Sequence, residues 1–136
     1  MTCFWQGIIK TLDDNLYNKI HVQKKSNINS LIKWLMEEGK KYKSKNIHLQ
    51  VKWQNKLITK QLSDELLDSI INYKINNIHN GHLTSTCDAF LCLLCHIFKI
   101  SIIHNYNKYL IKYDYNGKTN QLLKYSSNKY HFIALI

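Results

Sequence analysis

Cys3 opens an amphipathic run, followed at once by Phe4 and Trp5, and His131 lies near the other terminus within Lys129-Tyr130-His131-Phe132-Ile133-Ala134-Leu135. A thiol at the mouth of a helix meets unpaired backbone N–H groups and the positive end of the helix dipole, which favour thiolate over thiol. An imidazole within reach can take the thiol proton and later deliver it to a departing amine. Together they are the parts of a thiol-dependent hydrolysis. Cys3 and His131 are therefore the candidate catalytic residues, provided the two ends of the chain fold together.

A second constellation is Cys92-Leu93-Leu94-Cys95-His96, which has the C-x-x-C-H spacing of covalent haem attachment. With Cys87 it also offers zinc-type donors. Apolar residues flank it on both sides, Cys87 falls at a helix start, and no second C-x-x-C pair accompanies it. Core packing is the expected role, with no metal and no cofactor. The 4 cysteines do not read as a disulfide framework either, and reduced thiols are expected.

Periodicity supplies the elements that must position these residues. Thr2 is placed to cap a first helix over 3–17, with Phe4, Ile8, Leu12 and Leu16 on one stripe. A second helix carries Ile28, Leu31, Ile32, Leu35 and Met36 and is expected to end near Gly39. Residues 47–53 alternate as a half-buried strand, with a turn at 54–56. Ser63 is expected to cap a third helix with Asp64 and Glu65 in its first turn, and Ser85 with Asp88 to box the start of an apolar helix over 89–98. Strands are expected at 100–104, 109–113, 122–125 and 130–135, joined by short turns. The fold class is α+β, a helical N-terminal half packed on a C-terminal antiparallel sheet, in one domain over 1–136.

The formal net charge is +10, and every one of the 19 basic residues is lysine. Asn, Ile, Lys and Tyr share A/T-rich codons, so part of this charge reflects base composition rather than a ligand. The lysines are scattered and arginine is absent, so specific nucleic-acid recognition is not expected. A non-enzymatic basic module that binds nucleic acid or a host protein is the alternative from another class. No apolar stretch nears the roughly 20 residues that span a bilayer, so no membrane partner is expected. Without a recognisable leader, the cytoplasm is the expected location.

Three segments carry a resemblance. Cys3-Phe4 with its helix, Asp88-Ala89-Phe90-Leu91 through Phe98 with the following strand, and Tyr130-His131-Phe132 occur in order along nearly the whole chain. In this the chain resembles the ovarian-tumour (OTU) family of cysteine deubiquitinases, especially the reduced forms found in viruses. The resemblance implies a papain-like fold and hydrolysis after ubiquitin or a ubiquitin-like modifier in the host-cell cytoplasm, or cleavage of a viral polyprotein. It assigns the nucleophile to Cys3 and the acid/base to His131. The family's Asp-Gly-(Asn/Asp) lead before the nucleophile is replaced by Met1-Thr2, leaving the N–H of Cys3 as oxyanion donor. The family's ring-orienting Asp or Asn corresponds to Ile133. Asp114 or Asn128 could take that role, a dyad could operate, or the enzyme could be impaired. Ubiquitin has a basic tail and a basic-rimmed apolar face, so a chain this cationic would need a local acidic patch. Asp64, Glu65 and Asp68 are the substrate-binding candidates, with Glu37 and Glu38 as further concentrated carboxylates.

Overall fold

A computed structural model describes residues 2–75, 84–127 and 132–135. The chain runs α1 (Thr2–Thr11), α2 (Asp14–Lys19), α3 (Ile28–Ser44), β1 (Val51–Trp53), β2 (Lys56–Leu57), α4 (Lys60–Ile71), α5 (Thr84–Phe98), β3 (Ser101–Tyr106), β4 (Tyr109–Tyr115), β5 (Leu122–Ser127) and β6 (Phe132–Leu135). It is an α+β protein. Among the described residues no helix is long and apolar enough to cross a membrane.

The strands form a 6-stranded sheet in the order β2-β1-β4-β3-β5-β6. The sheet is mixed, where an antiparallel one was expected, because β3 and β5 run parallel. The inner side of β4 is paired with β3 and its outer side with β1. The chain after β4 must therefore cross the start of β3 and take that strand's remaining edge. Backbone bonds from Asn120 N–H to Lys99 O and from Ser101 N–H to Gln121 O hold this crossing. The Asn120 amide also donates to Phe98 O, occupying a carbonyl left open at the end of α5.

One face of the sheet is covered by helices. Ile102, Tyr113, Leu123, Tyr125 and Phe132 point into a single buried cluster with α5, whose residues from Cys87 to Cys95 are all buried. A helix apolar all round belongs in the middle of a fold, and here α1, α3 and α4 surround it. On the opposite face Leu110, Leu122, Ile133 and Leu135 are exposed.

Several local expectations give way to packing and side-chain chemistry. The first helix breaks at residue 13, where the Asp13 carboxylate accepts from Leu16 N–H and caps α2. Gly39 does not end α3, which runs to Ser44. A Cβ at Gly39 would lie 3.1 Å from Ile70 Cγ2, so this glycine lets α4 approach closely. The exit is made by Asn46 at φ 56°, an αL conformation that Asn tolerates. Only Val51–Trp53 of the expected 47–53 strand pairs as β1, because Leu49 N–H donates to Ser63 Oγ and Gln50 N–H to His96 Nδ1. Ser63 is therefore a buried acceptor inside α4, and Thr59 caps that helix. In α5 (Thr84–Phe98) Asp88 accepts a hydrogen bond from the Tyr113 hydroxyl, while the Ser85 side chain expected to cap with it lies outside the described residues. The two-residue turns at Gln54-Asn55 and Asn107-Lys108 adopt positive φ at both positions, the geometry that matches hairpin twist.

Candidate active site

Helix α1 divides into two stripes. Phe4, Trp5 and Ile8, with Leu12 just past the helix, are buried, with Trp5 in edge contact with Phe90 at 4.8 Å and its indole N–H donating to the Tyr73 hydroxyl at 3.4 Å. The other stripe is Cys3, Gln6, Gly7 and Lys10, the i, i+3, i+4, i+7 positions of one helix face. Cys3 lies in the first turn, where backbone N–H groups have no helical partner, and it is exposed.

Strand β6 packs beside that stripe. Cys3, Gln6, Gly7 and Lys10 line a shallow cavity of about 250 Å³ with Phe132, Ile133 and Ala134. Gly7 permits the close seam, since a Cβ there would sit 3.0 Å from two atoms of the Phe132 ring. The ring is fixed by Phe4 at 4.9 Å, Tyr125 at 4.8 Å and His104 at 5.2 Å. At the far end of α1 the hydroxyls of Thr11 and Tyr125 are hydrogen-bonded, tying the helix to β5.

The start of the chain and its last strand therefore meet, and the thiol opens onto the seam between them. His131 and Asn128 lie outside the described residues. Phe132, the next residue after His131, is a wall of the Cys3 cavity. Ile133 also lines it and has no hydrogen-bonding side chain. Asp114 is on β4, with β3 and β5 between it and β6. Three strand spacings amount to roughly 14 Å, beyond hydrogen-bonding reach of β6.

The remaining thiols are of another kind. Cys87, Cys92 and Cys95 are buried. Burial, then the charge of Asp88, pushes the Cys87 thiol up to about 12, and burial raises Cys92 and Cys95 as well. Such groups stay protonated and pack as small hydrophobes. The His96 ring sits at the helix surface between Tyr42 and Tyr115, and its Nδ1 accepts from Gln50 N–H. Among the described residues no three His, Cys, Asp or Glu side chains converge as a metal site.

The carboxylates do not form a free acidic patch. Asp64 pairs with Lys60 at 2.6 Å and Asp68 with Lys43 at 3.2 Å, while Glu37 and Glu38 pair with Lys40 and Lys41. Lys60 holds the Asp64 carboxyl below its usual range, chiefly by hydrogen bonding. Glu65 accepts from the Gln61 amide. None of Asp64, Glu65 and Asp68 lines the Cys3 cavity, whose one charged side chain among the described residues is Lys10.

Gln6, Gly7 and Lys10 escape a reading that follows apolar positions alone. Counting three, four and seven residues on from Cys3 would have found them. Compared with protein-family models, curated proteins and solved structures, the chain finds no match in any of the three.

Proposed function

We propose that this chain is a small cysteine protease of the OTU type, papain-like in its α+β fold, acting on a ubiquitin-like modifier or a polyprotein in the cytoplasm of a host cell. The observation that carries the reading is the shared cavity: the exposed Cys3 thiol and the residues that follow His131 line the same hollow.

In this mechanism His131 takes the Cys3 proton, and the thiolate sulfur attacks the carbonyl carbon of a peptide or isopeptide bond. Negative charge on the carbonyl oxygen is met by the orphan N–H of Cys3 at the helix start. The C–N bond breaks, the amine leaves with the proton from His131, and a thioester remains on Cys3. Water, deprotonated by His131, attacks the thioester, and its collapse releases the carboxylate and returns the thiol. Ile133 has no group to orient the ring and Asp114 is remote from β6, so Cys3 and His131 act as a dyad unless another residue supplies that role.

The test is hydrolysis of modifier–dye conjugates by wild type and by Cys3→Ala. Turnover that disappears with the sulfur supports the proposal; turnover that persists refutes it. A non-enzymatic basic binder would ignore the substitution and lose affinity steeply as salt rises.

A further inference from the structure

Strand β6 ends the sheet, so one of its edges carries main-chain groups with no neighbouring strand among the described residues. Which groups these are follows from the ladder. The carbonyls of Gln121 and Ser127 accept from Ser101 N–H and Asn107 N–H, so odd-numbered residues along β5 turn their main-chain groups toward β3. A strand residue points its N–H and C=O to one side, and the side alternates along the chain. Lys124 and Ser126 therefore face β6 and exchange ladder bonds with their register partners Leu135 and Ile133. Phe132 and Ala134 are left with their main-chain groups facing off the sheet.

That open edge borders the candidate active site. Phe132 and Ala134 both line the hollow onto which the Cys3 thiol opens. Gly7 keeps a side chain off the Ala134 amide, since a Cβ there would stand 3.8 Å from its nitrogen. On the outer face the side chains of Ile133 and Leu135 are exposed. A chain laid beside β6 would meet them as cross-strand neighbours. A second copy of the protein is disfavoured as that chain, because each copy carries a formal net charge of +10.

The chemistry decides which half of a substrate pairs here. In an isopeptide the amine half reaches the bond through a lysine side chain, whereas the acyl half arrives as main chain. Cys3 lies toward the start of β6, because Lys10 shares a hollow with Leu135 and Cys3 does not. An acyl half that ends at the sulfur thus runs antiparallel to β6. Cys3 precedes Gly7 by four residues on one face of α1, roughly 6 Å at 1.5 Å per residue. An extended chain advances roughly 3.3 Å per residue. The residue opposite Ala134 is therefore about the third before the scissile bond.

We infer that the open edge of β6 holds the acyl half of the substrate as an added antiparallel strand, read through its main chain by Ala134. The inference rests on the protease reading and narrows the substrate class to extended, unfolded tails. Binding is measured on Cys3→Ser by fluorescence anisotropy, with a dye-labelled hexapeptide of alanine and leucine that ends in a free carboxylate. The same peptide is then N-methylated at one amide at a time. Methylation at the third residue from the C-terminal end should weaken binding about 3- to 10-fold, the worth of one hydrogen bond. Methylation at the second or fourth residue, whose amides face away, should change it less than about 2-fold. Hydrogen exchange gives the view from the protein: the Ile133 and Leu135 amides should be protected in the free chain, and Ala134 only once peptide saturates it.

An Ala134 amide protected without peptide overturns the inference, and protection that rises with protein concentration would assign the edge to a second copy. No binding at millimolar peptide, or equal losses at all three methylated positions, also overturns it, even if wild type cleaves its substrates. The alternating losses with Ala134 protection, but no cleavage by wild type, uphold the peptide edge and remove the protease.

Discussion

Replacing Gly7 by alanine should damage activity more than stability. The new Cβ would lie 3.0 Å from Cδ1 and Cε1 of Phe132, against an ordinary carbon–carbon separation of about 3.5–4.0 Å. The seam must therefore open by about half an ångström or more. The ring cannot simply turn away, because Phe4, Tyr125 and His104 surround it. Overpacking of this kind costs about 1–3 kcal/mol, and alanine returns about 1 kcal/mol of helix propensity. The net destabilisation is about 0–2 kcal/mol, to be read from urea unfolding. Activity is more exposed, since misplacing reacting groups by about 1 Å can cost 10²-fold, and the strand that moves follows His131. A loss of about 10-fold or more in kcat/KM is expected. Shortening the ring as well, in Gly7→Ala with Phe132→Leu, should recover part of both losses, because the two sites are in contact. A Gly7→Ala protein that is about 1 kcal/mol more stable than wild type and equally active would refute the close seam.

Three further outcomes follow from individual side chains. Asp88→Ala should cost about 1–3 kcal/mol by leaving the buried Tyr113 hydroxyl without its acceptor, whereas Asp88→Asn keeps an acceptor and removes a carboxyl whose pKa burial raises, so chemical denaturation should rank it at or above wild type at pH 7. The His96 pKa is lowered below its usual 6.5 by burial and then by Lys99 and His48. The unfolded chain thus takes up this proton first, so stability present above about pH 6.5 should fall as pH drops through the folded pKa. Melting temperatures of wild type and His96→Gln should converge on that descent; a parallel pH profile would contradict it. Reversing Asp64 and Glu65 to lysine should change kcat/KM less than 3-fold, given that neither lines the Cys3 cavity and that exposed pairs contribute little. A larger loss in the hydrolysis assay would support their place on the substrate surface.

Much of this architecture was legible in the chain itself, for reasons that differ between elements. The buried stripe Phe4, Ile8, Leu12 and Leu16 and the apolar α5 show because their periodicity is strong. The break at Asp13, the role of Ser63 and the extension of α3 through Gly39 do not show. Each depends on a partner distant in sequence or on competition for one N–H group. The parallel pairing of β3 with β5 is equally hidden, because it follows from which edge of β3 is vacant. For the site, the residue types and their order pointed to Cys3 and to the last strand. The walls of the cavity follow from the helical spacing of Gln6, Gly7 and Lys10 and from the missing Cβ at Gly7, features that an apolar pattern does not register.

The most direct measurement is to react the protein with ubiquitin and ubiquitin-like modifiers carrying a C-terminal electrophile, and to map the adduct by mass spectrometry. Attachment at Cys3, abolished by His131→Ala and slowed by Gly7→Ala, is the expected result. Attachment at another cysteine, or labelling of Cys3 that does not depend on His131, would contradict the pairing of the two ends on which the proposed chemistry rests.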